Sequence, residues 1–266
     1  MSRIYAMVNQ KGGVGKTTTA ISLGAYLAAA GQRLLLVDLD PQANATACLG
    51  IEGAQLEQGT YDTLIGASPA ENVLLHNPRL HLSLLPSSPA LAGAQVELVD
   101  MPGRESLLRQ AIEPLKSRFD YILIDCPPSL GLLTINGLVA AADGVIVPVQ
   151  CEYLALEGLT QLMNTLSRVR SALFPGLKLR GLLLTMFDSR TNLSQDVVNE
   201  VRQHFHQQVF ESIIPRSVRL AEAPSHGLPI SAYAPHSPGG LAYQQLAAEV
   251  LRGDGVRQPA LQQGAM

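Results

Sequence analysis

Two lysines and a threonine in one short run are the residues of this chain best suited to chemistry. The run is Asn9-Gln10-Lys11-Gly12-Gly13-Val14-Gly15-Lys16-Thr17-Thr18. Glycines, lacking Cβ, let a backbone turn tightly and aim successive N–H groups into one concavity. Gly12, Gly13, Val14 and Gly15 supply that backbone, and a polyphosphate is the ligand it suits. Lys16 is placed for the β- and γ-phosphates, the Thr17 hydroxyl for Mg²⁺ and Thr18 for the α-phosphate. An apolar run at residues 4–8 precedes the loop and a helix-patterned segment at residues 17–30 follows it. Strand, glycine loop and helix, in that order, are the context in which such a loop binds phosphate.

The spacing departs from the common form of the motif, in which a glycine stands six residues before the lysine. That position here is Gln10, and Lys11 follows it. Lys11 is one cation more than a single cradle requires. A place for it is across a dimer interface, on the nucleotide of the partner subunit. The alternative is a glycine turn with two solvated lysines.

Three aspartates fall where apolar runs end. Leu34-Leu35-Leu36-Val37-Asp38-Leu39-Asp40-Pro41-Gln42 carries two, and Tyr121-Ile122-Leu123-Ile124-Asp125-Cys126-Pro127-Pro128 carries one. Ligands of open α/β sheets lie beyond the carboxyl ends of the strands, so both clusters point to the edge that holds the glycine loop. Magnesium bound with a nucleotide takes few protein carboxylates and keeps several waters. Asp125 has the position of the aspartate that holds such a magnesium through water. Asp40, with Pro41 fixing the turn just past it, is the candidate to orient the attacking water. Asp38 is a candidate for a magnesium-bound water or for a switch contact. Any one of them alone reads as a helix cap or turn former; three beside this loop argue for a nucleotide site.

The elements that must position these residues follow from the pattern. Strand-length apolar runs at residues 4–8, 34–38, 82–85, 121–125, 145–149, 179–185 and 212–214 alternate with helical patterns. The helical segments are residues 17–30, 88–99, 104–116, 132–141, 156–173, 193–206, 218–223 and 240–251. This alternation predicts a three-layer α/β fold, a mostly parallel twisted sheet with helices on both faces. The runs are continuously apolar, as in strands buried on both sides. Residues 50–79 are irregular and are expected to run over the surface. The expected organisation is a single domain over residues 1–252 and a flexible C-terminal tail over residues 253–266.

Composition narrows the function classes. The 266 residues are 47% hydrophobic and 15% charged, which argues for a globular chain. A net charge of −3 excludes a uniformly basic surface, so nucleic-acid binding would need a local patch. Cys48, Cys126 and Cys151 are odd in number and include no CxxC pair, which fits reduced thiols better than disulfides or zinc. There is no signal pattern, and no run approaches the ~20 apolar residues of a membrane helix. The cytoplasm is the expected compartment.

The run from Lys11 to Thr18 resembles the deviant Walker A motif, with its signature lysine, of the ParA/MinD class of P-loop ATPases. Further stretches are similar to the ParA (Soj-like) chromosome- or plasmid-partition ATPases. They are Asp38-Leu39-Asp40-Pro41-Gln42-Ala43-Asn44-Ala45-Thr46, Asp125-Cys126-Pro127-Pro128-Ser129 and Pro148-Val149-Gln150-Cys151-Glu152-Tyr153. Leu184-Thr185-Met186-Phe187-Asp188-Ser189-Arg190 and Ile214-Pro215-Arg216-Ser217-Val218-Arg219 complete the set. The resemblance spans residues 3–251.

The resemblance implies a slow ATPase that uses ATP and Mg²⁺ and closes into a nucleotide-sandwich homodimer. Lys11 of each subunit would reach the other's ATP, so the γ-phosphate supplies differential affinity for the dimer. The family's water-activating aspartate matches Asp40 and its Walker B aspartate matches Asp125. Adenine in such proteins packs near the segments that hold Met186 and Pro215. The ATP dimer of this branch binds double-stranded DNA without sequence preference, through arginines that match Arg190 and Arg219, with Arg216 as a neighbour. A ParB-type centromere-binding protein stimulates hydrolysis, the protein localises to the nucleoid, and no membrane is involved. By composition alone the basic residues between Arg180 and Arg219, interspersed with Asp188, Asp196, Glu200 and Glu211, read as a solvated face.

Three other readings compete. A MinD-like membrane-associated positioning ATPase needs a basic amphipathic C-terminal helix, and the last fifteen residues carry glycine and proline instead. A reductase similar to the nitrogenase iron protein needs two cysteines at the dimer seam. A small-molecule kinase or synthetase needs an acceptor pocket, for which no motif is visible. No separate DNA-binding domain ahead of the glycine loop is expected.

Overall fold

The computed structural model describes residues 2–153 and 155–256. They build a seven-stranded sheet from β1 (Arg3–Met7), β2 (Leu34–Asp38), β3 (Leu75–Asn77), β4 (Leu82–Leu85), β5 (Tyr121–Asp125), β6 (Gly144–Gln150) and β7 (Leu179–Thr185). The order is β3-β4-β2-β5-β1-β6-β7. The pairings are parallel except for β3, which runs antiparallel to β4 at one edge. Between the strands run α1 (Lys16–Ala29), α2 (Asn44–Ala47), α3 (Thr60–Leu64), α4 (Ala70–Val73), α5 (Leu91–Glu97) and α6 (Leu107–Ile112). The remainder are α7 (Leu132–Ala140), α8 (Ala155–Ala172), α9 (Asn192–Phe205), α10 (Val218–Glu222), α11 (Ile230–Tyr233) and α12 (Pro238–Gly253).

Successive strand residues face opposite sides of a sheet, so an uninterrupted apolar run feeds two cores. Ile4, Ala6, Val8, Leu35, Val37, Ile122 and Ile124 pack with α5–α9 on one face. Tyr5, Met7, Leu34, Leu36, Tyr121 and Leu123 pack with α1 and α12 on the other. The predicted three-layer arrangement is therefore the observed one. Register then places the chemistry: Met7 lies opposite Asp125, and Asp125 opposite Asp38. The last residue of β1, which leads into the glycine loop, and two of the aspartates thus stand in one row at one sheet edge.

The departures are local. Residues 50–79 hold α3, α4 and β3, elements of three to five residues, too short to show a period. The expected strand at 212–214 does not form; the chain there runs beside β7 through single contacts, the Ile214 N–H on the Leu184 carbonyl (2.9 Å) and isolated bridges on either side, Leu182 to Val209 and Phe187 to Pro215. Residues 104–116 break into 3₁₀ turns on either side of α6, with Pro114 at the start of the second. The chain is also fixed past residue 252, where the tail was expected to begin. Helix α12 runs through Gly253, and the Asp254 carboxylate accepts hydrogen bonds from the Tyr5 hydroxyl (2.7 Å) and the Tyr121 hydroxyl (2.9 Å). The rest of the expected tail, residues 257–266, lies outside the described residues.

Candidate active site

The glycine loop joins β1 to α1 and is pinned from both flanks. Gly13 and Gly15 take φ of 75° and 92°, a region in which a Cβ is strained, and Gly15 caps α1. The Thr185 hydroxyl at the end of β7 donates to the Val14 carbonyl (2.9 Å), and the Asn9 side-chain amide donates to the Pro148 carbonyl in β6 (2.7 Å). The Asn9 side-chain oxygen also accepts the Lys11 N–H (3.0 Å). Inside this frame Lys16 is buried, with its ammonium donating to the Lys11 carbonyl (3.2 Å). Burial holds its pKa below the usual lysine value, against the opposing pull of Asp125, Cys126 and Asp40. Gly12, Gly13 and Lys11 are exposed, while Thr17 and Thr18 are half-buried along the first turn of the helix. The arrangement is a concave set of N–H donors backed by a helix N-terminus and a buried cation, which suits a triphosphate.

The aspartates divide into three environments. Asp125 is fully buried and neither of its oxygens has a hydrogen-bond partner. Burial first, then the charges of Asp38 and Asp40, push its pKa well above the carboxylate range; the Thr17 hydroxyl and Lys16 pull it down only in part. The Thr17 hydroxyl faces it without completing a hydrogen bond. Two orphaned carboxylate oxygens opposite a threonine hydroxyl are what a magnesium shell of waters would satisfy, so Thr17 and Asp125 fit that ion. Among the described residues no three His, Cys, Asp or Glu side chains gather into a protein-only metal cage.

Asp38, equally buried, is saturated by contrast. Its Oδ2 accepts the Thr46 N–H (2.8 Å) and the Thr46 hydroxyl (2.7 Å), and its Oδ1 accepts the Asp40 N–H (3.2 Å). Burial raises its pKa to about 6 despite these bonds. Its bonding is that of a loop anchor and leaves little for the magnesium-water role expected of it. Asp40 is 5% exposed at the mouth of the site. One carboxylate oxygen accepts the Gln42 N–H (2.9 Å), and among the described residues no donor is bonded to the other. That oxygen is available to a water.

A cleft of about 440 Å³ opens beside the loop, lined by Gly15, Thr18, Met186, Pro215, Val218 and Tyr243 among others. Both residues expected near adenine, Met186 and Pro215, are therefore on its wall, and Met186 holds φ at 52°, a strained value for a non-glycine residue. Of the expected DNA-binding arginines, Arg216 is on the wall of this cleft, while Arg190 and Arg219 do not line it. Arg216 donates its N–H to the Phe187 carbonyl (2.9 Å), which ties its segment to the loop that carries Arg190, and Arg219 follows on α10. Each arginine faces a carboxylate: Arg190 with Asp188 (2.7 Å), Arg216 with Glu152 (3.7 Å) and Arg219 with Glu222 (3.0 Å). The Arg190 guanidinium holds the Asp188 carboxyl far below its ordinary value.

Lys11 stands apart from Lys16. It is exposed and its ammonium pairs with Glu152 (2.9 Å), the carboxylate that Arg216 also approaches. Glu152, Thr185, Asn9, Thr46 and Ser87 are the contacts that the sequence did not single out. Thr46 and Glu152 stand inside the quoted stretches but gain a role only through partners 8 and 141 positions away.

Comparison with known proteins places this geometry. Residues 2–179 match the family model described as an AAA domain. The chain is 53% identical to the sporulation initiation inhibitor protein Soj of Bacillus subtilis over 250 residues, covering 94% of this chain and 98% of that protein. It is 51% identical to the chromosome partitioning protein ParA of Myxococcus xanthus over 97% of this chain and 91% of the relative. A solved structure of a cobyrinic acid a,c-diamide synthase from Mycobacterium smegmatis, with ADP and magnesium bound, superposes with a TM-score of 0.85 at 40% identity, covering 98% of this chain and 100% of that one. With the deviant glycine loop, the strand-end aspartates and full-length identity above half, the chain belongs to the Soj/ParA family of chromosome-partitioning P-loop ATPases.

Proposed function

We propose that this ATPase is a dimerising switch that carries DNA in its ATP state and lets go after hydrolysis. ATP with Mg²⁺ is its nucleotide, supplying the γ-phosphate whose transfer to water ends the cycle. The loop N–H groups and Lys16 hold the β- and γ-phosphates. Thr17 and Asp125 hold the magnesium, Asp125 through water, and Asp40 orients the attacking water with its unpartnered oxygen. Lys11 carries the reading: it projects from the loop with 53% of its side chain exposed, while the cradle's own cation, Lys16, is buried beneath. An exposed cation at the rim of a triphosphate site is placed to serve a second subunit. Among the described residues no arginine lies in the glycine loop, so basal turnover is slow and a ParB-type partner raises it.

Arg190, Arg216 and Arg219 form the DNA face. Their ion pairs with Asp188, Glu152 and Glu222 are screened by solvent and salt, so DNA phosphates compete with them. Two copies double a weak patch, which makes binding depend on ATP and on salt. Nucleoid association follows from the same contacts.

Salt-titrated binding to duplex DNA, with no nucleotide, with ADP and with ATP, tests the reading. Wild-type protein binds with ATP alone, and Lys11→Ala retains nucleotide but binds no DNA. Arg219→Ala removes one phosphate contact per subunit, so the slope of log K against log salt falls by about 2 in the dimer. Equal DNA affinity with ADP and ATP would refute the switch, and an unchanged slope would remove Arg219 from the face.

A further inference from the structure

We infer that Ser87, acting with Thr46, is a positioning residue for hydrolysis: it locks the peptide groups that aim Asp40. The inference rests on the reading of Asp40 as the residue that orients the attacking water.

Both peptide groups flanking the Asp40 Cα are held by hydrogen bonds, one from Asp38 within the turn and one from Ser87 outside it. Its N–H is bound by Asp38 Oδ1 (3.2 Å), and its carbonyl accepts the Ser87 hydroxyl (2.8 Å). The Ser87 N–H donates to the Thr46 hydroxyl oxygen (2.9 Å), and that hydroxyl donates to Asp38 Oδ2 (2.7 Å). The chain of bonds runs Asp40 carbonyl, Ser87, Thr46, Asp38, Asp40 N–H and so closes on itself around the turn. Asp38, Thr46 and Ser87 all have zero exposure. Thr60, also buried, ties the Asp38 carbonyl (2.9 Å) and the Pro86 carbonyl (2.9 Å) from below.

Such a ring does more than cap a turn. The direction of a side chain is set by the two peptide planes that meet at its Cα. With both fixed, and with one carboxylate oxygen held by Gln42 N–H (2.9 Å), the remaining Asp40 oxygen has one direction available. Loss of geometry at a water-orienting group costs rate at the chemical step and leaves ground-state binding alone. Ser87 lies just past β4, two strands from β5, which carries Asp125, and it touches no candidate phosphate or magnesium ligand. Its hydroxyl, the group that Ser87→Ala removes, bonds the Asp40 carbonyl, so the loss reaches the reaction through Asp40.

The test compares Ser87→Ala, Thr46→Val and Thr46→Ser, with kcat expressed per ATP-binding site so that a misfolded fraction does not count. The expected result is a kcat lowered about fivefold or more in Ser87→Ala and Thr46→Val, with KM for Mg·ATP within about twofold of wild type. Thr46→Ser, which keeps the hydroxyl, retains at least about half of kcat. In an Asp40→Ala background, Ser87→Ala changes the single-turnover rate by less than about twofold, because a group that acts through Asp40 has nothing left to aim. The inference is overturned if kcat stays within about twofold of wild type in both Ser87→Ala and Thr46→Val, or if Ser87→Ala slows the Asp40→Ala protein as much as it slows the wild type. Wild-type turnover by Asp40→Ala alone overturns the reading of Asp40 itself, and it is told apart because Ser87 is intact in that protein.

Discussion

Asp125 carries the sharpest conflict between stability and function in the molecule. A carboxylate with no partner for either oxygen, wholly buried beside Asp38, costs the fold free energy whenever it is ionised. Its ordinary pKa is 3.8 and its folded value is raised, mainly by burial. Between those values the folded chain binds a proton that the unfolded chain does not, so stability falls as the pH rises through the interval. Asp125→Asn removes the charge at nearly constant volume. The nucleotide-free variant therefore melts higher than wild type at pH 8, and the gain shrinks as the pH is lowered and wild-type Asp125 takes up its proton. The same variant loses the magnesium-dependent part of nucleotide affinity, a trade expected where a site is poised for a ligand. Calorimetry at several pH values, paired with nucleotide titration with and without Mg²⁺, checks both halves; a lower melting point at pH 8 would show that the carboxylate has found a partner. The placement of Lys16, Asp40 and Asp125 at one end of the sheet was legible in the sequence because it follows from motif spacing and strand ends. Ser87 and Glu152 were not, since each gains its meaning from a partner far away in the chain.

At the scale of elements, the site depends on how closely α7 approaches β5. Gly137 lies in the middle of α7, and a Cβ there would stand 2.5 Å from Cys126 Sγ and 3.4 Å from Leu39 Cδ2. Alanine in a helix interior gains up to about 1 kcal/mol over glycine through backbone entropy. Overpacking a filled core costs about 1–3 kcal/mol, and Cys126 is buried with Ile124 also within contact of the new methyl. The clash wins, so Gly137→Ala lowers unfolding free energy by about 1–2 kcal/mol, read as a lower denaturant midpoint at unchanged slope. Because Cys126 follows Asp125 directly, the shift also weakens magnesium-dependent nucleotide binding. A variant as stable as wild type would mean that α7 is free to slide outward. The long, continuously apolar strands announced themselves because burial on both faces leaves no polar positions. The hairpin of β3 with β4, and α3 and α4, did not, because three to five residues complete no hydrophobic period. Residues 212–214 look like a strand because Ile214 packs into the core with α1 and α12; its N–H bonds the Leu184 carbonyl of β7 (2.9 Å), but the contact does not extend into a ladder.

For the whole molecule, the question is what a single copy does with the cation proposed to serve its partner. The Lys11 ammonium lies on Glu152 at 2.9 Å, with Arg216 on the other oxygen of that carboxylate at 3.7 Å. One carboxylate thus holds back both the lysine proposed for the dimer and an arginine proposed for DNA. On the proposed mechanism, closing the sandwich releases Lys11 from Glu152 in each of the two copies. An exposed pair contributes roughly 0.2–1 kcal/mol, and half exposure of both partners keeps it toward the lower end. Two such pairs released together correspond to a dimerisation constant weakened by about two- to tenfold. Glu152→Gln keeps the shape and removes the charge, so its ATP-bound dimer forms at about two- to tenfold lower protein concentration than wild type, and the difference narrows as salt screens the pair. Sedimentation with a non-hydrolysable ATP analogue across a protein dilution series measures this directly. A weaker dimer in Glu152→Gln would assign the carboxylate to the closed interface. An unchanged one would mean that Lys11 leaves Glu152 without cost, and that γ-phosphate recognition alone sets the threshold at which two copies meet.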